Sequence, residues 1–174
     1  MLDVSVSYNR YKFLGYEYLT WLWFVLETDQ DKITNLEQEP VSMEIGNRIV
    51  LQNKKKDAME TITIKGDDAG LEEGMLALRK GAVVAEMNLL LKANDQQWRF
   101  TIKGESLHFV GFKVPPTGPI KSEEDLEGAV LEKAYLYDRA MQCMDKLYKQ
   151  FITLRVSEDW PNKVVPLVRQ WMHS

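Results

Sequence analysis

Cysteine is almost absent: the 174 residues hold one, Cys143, so no disulfide can form within the chain. A disulfide-stapled miniprotein is excluded, and a reducing compartment fits without being required. Histidine is nearly as scarce, with His108 and His173 alone. Neither stands in a spaced cluster of Cys, His, Asp or Glu, so no zinc motif is present. The most apolar stretch, Leu19 to Leu26, falls well short of the roughly 20 residues that span a bilayer. Met1-Leu2-Asp3-Val4 lacks the basic start and apolar run of a secretory leader. A cytoplasmic protein with no membrane contact is the expectation. There is no GxxxxGK[ST], no GxGxxG after a strand and no GxSxG, and no cofactor is expected.

What is present is ordinary globular material, 45% hydrophobic and 28% charged, which excludes a wholly disordered chain. Net charge is −4, so a uniformly basic, histone-like binder is excluded while a local basic patch is not. Charge is unevenly spread. Residues 1–47 carry 3 basic and 8 acidic residues, residues 48–113 carry 11 and 9, and residues 121–174 carry 8 and 9. Only the middle is positive, and it holds the one basic run, Lys54-Lys55-Lys56.

Three segments follow: an apolar helical segment at 1–40, an antiparallel α+β domain at 41–116 and a helical arm at 121–174. In the first, apolar residues crowd every face of Phe13–Leu26. Length favours a buried helix from about Tyr16 to Thr28, with a central strand as the alternative. In the second, Val41, Met43 and Ile45 alternate with polar residues up to Gly46-Asn47. Ile49-Val50-Leu51 then follow, a pattern that predicts a hairpin turning at Gly46-Asn47. Thr61–Ile64 predicts a strand, broken at Gly66–Gly70. Leu71, Met75, Leu76 and Leu78 predict a short helix stopped by Gly81. Ala82–Leu91 predicts the next strand, with a turn at Asn94-Asp95. Trp98, Phe100 and Ile102 alternate with Arg99, Thr101 and Lys103 in a half-buried strand. After Gly104-Glu105 the last strand places Leu107, Phe109 and Gly111 on one face.

In the third segment Ser122 precedes Glu123-Glu124-Asp125, a hydroxyl cap before first-turn acids. Two apolar lines then run along a helix from Ser122 to Val156, one through Val130, Ala134, Tyr137 and Met141, the other through Leu136, Ala140, Cys143 and Leu147. At 1.5 Å per residue that helix is roughly 50 Å long, more than a small sheet covers. Its partner is the first helix, the last helix or a second copy of the chain. Pro166 should kink or restart the final helix. The fold class is therefore α+β: an antiparallel sheet of about five strands, a short packing helix and a long C-terminal helical arm.

Lys54, Lys55 and Lys56 read either as a solvated loop or as phosphate contacts, with Lys65, Arg79 and Lys80 able to join them. Lys65-Gly66-Asp67-Asp68 reads as a turn with Asp68 capping a helix, or as a carboxylate pair that could hold Mg²⁺ in a nuclease. Cys143, in the helix stripe, reads as a buried apolar residue. Trp21, Trp23 and Phe24 read as core, not as base-stacking residues.

Leu78-Arg79-Lys80-Gly81-Ala82-Val83-Val84-Ala85-Glu86-Met87-Asn88-Leu89, Gln97-Trp98-Arg99-Phe100-Thr101 and His108-Phe109-Val110-Gly111-Phe112-Lys113-Val114 resemble the C-terminal half of the bacterial recombination-associated protein RdgC. Phe13–Phe24 resembles the segment leading into that half, so the likeness covers roughly residues 13–160. It implies an α+β, non-enzymatic protein that binds double-stranded DNA without sequence preference, modulates recombination, is nucleoid-associated and forms a dimer. Family members are longer, which implies a homodimer or a partner that supplies an N-terminal half. The family's DNA-facing loop falls near Ile64–Gly70. Lys65 matches its basic character there, and Asp67-Asp68 does not. A module that assembles through its long helix and has lost autonomous DNA binding is the alternative.

Overall fold

The computed structural model describes residues 10, 11, 13–65 and 68–174, with the backbone alone for 68–71. Helix α1 (Phe13–Thr28) and a single turn α2 (Asp31–Thr34) lead into the sheet. The strands are β1 (Val41–Lys55), β2 (Ala58–Lys65), β3 (Val83–Ala93), β4 (Gln96–Lys103) and β5 (His108–Lys113). Helix α3 (Asp68–Arg79) connects β2 to β3, and α4 (Glu123–Arg155) and α5 (Val165–Met172) close the chain. The sheet is antiparallel in the order β2-β1-β3-β4-β5, so the α3 connection steps across β1. The α+β class is as expected.

Two local expectations need correction. Gly46-Asn47 does not turn the chain: Val41–Lys55 is one strand of 15 residues. Between Ile45 and Ile49 it advances four residues while β3 advances two, from Leu89 to Met87. The surplus is a β-bulge. It is held by Asn88 of β3, whose Oδ1 accepts the Asn47 amide at 3.3 Å. A Cβ at position 46 would stand 2.0 Å from that same oxygen, which is why glycine sits there. The turn joining β1 to β2 falls at Lys56 and Asp57 instead. In β5, Gly111 does not share the inner face with Phe109. Gly111 takes φ +60° and the register slips between Arg99 and Thr101, so Phe112 comes round to that face. Both rings lie against Phe100, with centroids 5.4 Å away for Phe109 and 5.0 Å for Phe112.

Every described helix packs on one side of the sheet. Met87, Leu89 and Leu91 of β3 bury under α1, whose apolar residues crowd every face, while Trp98 of β4 is buried against α4, its indole donating to the Leu136 carbonyl at 2.9 Å. All three segments of the sequence contribute to this one core. Helix α4 begins where its cap predicts: the Ser122 hydroxyl accepts the Asp125 amide and the Asp125 carboxylate accepts the Lys121 amide. Its second half packs on α1 through Phe151 against Trp21, ring centroids 5.6 Å apart. Before Pro166, which has no amide to donate to residue 162, the chain takes one wide π-helical turn. Helix α5 then docks through Trp171, whose indole donates to Glu27 Oε2 while Trp23 donates to Oε1 of the same carboxylate.

Tyr18 is buried among Trp21, Tyr148 and Phe151, and its hydroxyl finds no partner among the described residues. Burial pushes its pKa up. An unsatisfied buried hydroxyl costs about 1–3 kcal/mol. Tyr18→Phe is therefore expected to hold or raise stability, by up to about 1 kcal/mol. Chemical denaturation checks it, and a loss larger than that contradicts the placement.

A candidate nucleic-acid interface on the open sheet face

With every described helix on one side, no described helix covers the other face of the sheet. Strand alternation fixes what stands there. Opposite the core residues Ile49 and Leu51 of β1 lie Arg48, Val50, Gln52 and, at the strand end, Lys54. The pairing register adds Thr61, Thr63 and Lys65 from β2 and Glu86, Asn88, Leu90 and Lys92 from β3. Arg99, Thr101 and Lys103 come from β4, and Val110 and Lys113 from β5. Seven cations thus share the face with two carboxylates, Glu44 and Glu86, in a chain whose net charge is −4. Among the described residues no Phe, Tyr or Trp stands on it.

Three of the cations are paired. Arg48 reaches Glu86 at 2.6 Å, Lys103 reaches the same carboxylate at 3.9 Å, and Lys92 reaches Glu44 at 2.7 Å. Lys54, Lys65, Arg99 and Lys113 have no ion pair among the described residues. Two like-charge pairs stand directly opposite across strands, Arg48 with Lys65 and Arg99 with Lys113. Directly opposed like charges cost a sheet some tenths of a kcal/mol. Folding alone gives no reason to place them so.

The six cations singled out in the sequence do not form one site. Lys54 and Lys55 end β1 on opposite faces, and Lys56 is in the turn. Lys55 turns to the helix side and pairs with Glu60 at 2.7 Å. That hydrogen bond and charge, with a smaller pull from Lys80, hold the Glu60 carboxyl below the usual range. Lys80 lies beside them, its carbonyl accepting the Asn53 side-chain amide at 3.4 Å. Lys65 is at the far end of β2, seven residues from Ala58 or about 24 Å along an extended strand. Arg79 is turned to the chain terminus, donating to the carbonyls of Met172 and Ser174. Only Lys54 and Lys65 belong to the open face. Arg48, Lys92, Arg99, Lys103 and Lys113 escaped sequence reasoning. The signal was available for Arg99 and Lys103, which alternate with core residues, but the others needed the register.

Gly66 and Asp67 lie outside the described residues, as does the Asp68 side chain, so the Mg²⁺ and capping readings of Lys65–Asp68 lie there too. Among the described residues no group of three or more His, Cys, Asp or Glu could hold a metal. His108 and His173 are exposed. Among the described residues no helix is long and apolar enough to cross a membrane. Cys143 is buried in the α4 stripe, and burial pushes its thiol up to about 11. It should therefore resist a thiol reagent at neutral pH until the protein unfolds. Because the folded thiol holds its proton above the ordinary 9.0, the unfolded chain binds fewer protons beyond that pH, and stability should fall as pH rises from about 9 to about 11. Rapid native-state labelling at neutral pH would contradict the burial.

The fold and this face together describe a two-layer α+β protein with a helical layer on one side and an open cationic sheet on the other. Comparison with protein-family models, with curated proteins and with solved structures finds no match.

Proposed function

We infer that the chain is a sequence-independent double-stranded DNA-binding protein, acting without catalysis, that lays its open sheet face on the duplex backbone. One observation carries this: four cations without an ion pair among the described residues, and two opposed like-charge pairs, on a single face of an otherwise acidic protein. Four strand gaps of about 4.8 Å make the face roughly 19 Å wide. Duplex DNA carries a charge every 1.7 Å or so, so a length that matches the face offers on the order of ten phosphates. Lysine and arginine supply point charges to phosphate and carry no sequence reading by themselves. The lack of aromatic side chains on the face favours duplex backbone over single strands, which stack their bases on aromatic platforms. The resemblance to RdgC points the same way and adds a role in modulating recombination.

Filter binding with two duplexes of unrelated sequence tests this. Equal affinities are expected, and a tenfold difference between them would contradict phosphate-only contact. Changing Lys54, Lys55 and Lys56 together to Glu should weaken both duplexes equally, but less than changes at the centre of the face, because Lys55 points away and is paired. An effect as large as that of the central cations would move the interface to the β1–β2 turn.

A second reading is favoured by the first half of α4. Leu126, Val130, Tyr137 and Met141 share one face from there to just past the middle of the helix, 40% to 59% of each surface being open. Neither α1 nor α5 covers them. An assembly module, homodimeric or bound to a partner, would use this stripe. Sedimentation across a hundredfold dilution separates the two: a persistent dimer without duplex affinity favours assembly.

A further inference from the structure

We propose that the depression at the β1 bulge is a phosphate seat, and that it anchors one backbone phosphodiester of the duplex; the second half of this rests on the DNA-binding role above. The depression opens on the cationic face and is lined by Asn47, Arg48, Lys65 and Thr101. Two of these, Asn47 and Thr101, are held by Asn88, which is more than nine-tenths buried. Both ends of the Asn88 amide are engaged: Oδ1 accepts the Asn47 amide at 3.3 Å, and Nδ2 donates to the Phe100 carbonyl at 3.3 Å and to the Thr101 hydroxyl oxygen at 3.0 Å. It is a positioning residue, fixing the bulge on one side and the threonine on the other.

The donors left over all suit an oxyanion. Thr101 accepts from Asn88, so its own hydroxyl proton remains to be given, and no described residue takes it. Arg48 spends one nitrogen on Glu86 at 2.6 Å and keeps the rest of its guanidinium fork. Lys65 has no ion pair among the described residues and stands opposite Arg48 in register. Lys103 stands close by, 3.9 Å from Glu86. Among the described residues, three cations against one carboxylate leave an excess of positive charge around a polar hollow. The bulge is what creates the hollow, and Gly46 is what permits the bulge.

The test is a titration of the full chain, followed by amide NMR shifts, with inorganic phosphate against a chloride control of equal ionic strength. A 12-base-pair duplex is titrated in parallel. Saturable phosphate shifts are expected at Asn47, Arg48, Lys65 and Thr101, and the duplex should move the same amides. Lys65→Gln and Thr101→Val should each weaken phosphate binding by about tenfold, the loss expected for a hydrogen bond to a charged group. The spectra themselves report whether each variant folds. Shifts that grow linearly with phosphate and fall equally on Lys54, Arg99 and Lys113 would overturn the seat. Duplex binding that leaves the four amides unmoved would also overturn it, while the broader face reading would stand. Saturable phosphate binding with no response to duplex would overturn the duplex as the phosphate's source, and with it the DNA-binding role.

Discussion

Gly15→Ala is expected to destabilise the protein by about 3 kcal/mol or more, against a helix propensity that favours alanine by about 1. Gly15 is in α1 where the helix crosses the turn after β4. A Cβ there would lie 1.8 Å from the Gly104 carbonyl oxygen and 2.8 Å from its carbon. These are backbone atoms, and the turn is itself tied down by the Gly104 amide donating to the Ala85 carbonyl at 2.7 Å. Neither side can give without lifting α1 from β3 and β4, so sterics outweigh propensity. For a chain of this size the melting temperature should fall by about 6–12 °C. Gly128→Ala is the control. It lies inside α4 with nothing within 4 Å of a new Cβ, so propensity alone acts and stability should rise by about 0.5–1 kcal/mol. Calorimetry on the two variants settles it. A neutral Gly15→Ala would mean that α1 does not sit on this turn.

Changing Lys65 and Lys113 together to Glu is expected to move stability and DNA affinity in opposite directions. Each lysine faces an arginine across the strand boundary, Lys65 with Arg48 and Lys113 with Arg99. Reversal turns two repulsive pairs into two attractive ones, worth together about 0.5–1 kcal/mol of added stability. The same reversal leaves five cations against four carboxylates on the face. Duplex affinity at low salt should fall on the order of a hundredfold, since counterion release from phosphate is what drives such binding. A variant that is more stable and binds more weakly fits a face whose charge costs folding and serves binding. Stability up with affinity unchanged would mean that the duplex, if bound, lies elsewhere.

Local signals in the sequence were enough wherever the determinant was local. Ser122 with three following acids marked the start of α4, Gly81 marked the stop of α3, and the Trp98-Phe100-Ile102 alternation marked β4 and its polar side. The bulge was misread because Gly-Asn between apolar runs is a strong short-range hairpin signal. What overrides it is Asn88, 41 residues further on, which accepts the Asn47 amide and leaves no room for a side chain at Gly46. The face of Phe112 was hidden for a similar reason, since one bulged glycine shifts every later residue of the strand by one. The candidate site was the least legible part. A run of three lysines is conspicuous along the chain, yet its members point different ways. Arg48, Arg99, Lys103 and Lys113 are scattered in sequence and meet only through the register of four strands.

Fluorescence anisotropy with a labelled duplex, at 50 mM salt and again at 200 mM, bears most directly on the DNA-binding role. If the four ion-pair-free cations each displace a counterion, the slope of log affinity against log salt should be about −3.6, and affinity should fall about a hundredfold over that interval. Binding at low salt that collapses in this way is the expected result. No binding at either salt, or binding indifferent to salt, would contradict an electrostatic duplex interface on the open sheet face.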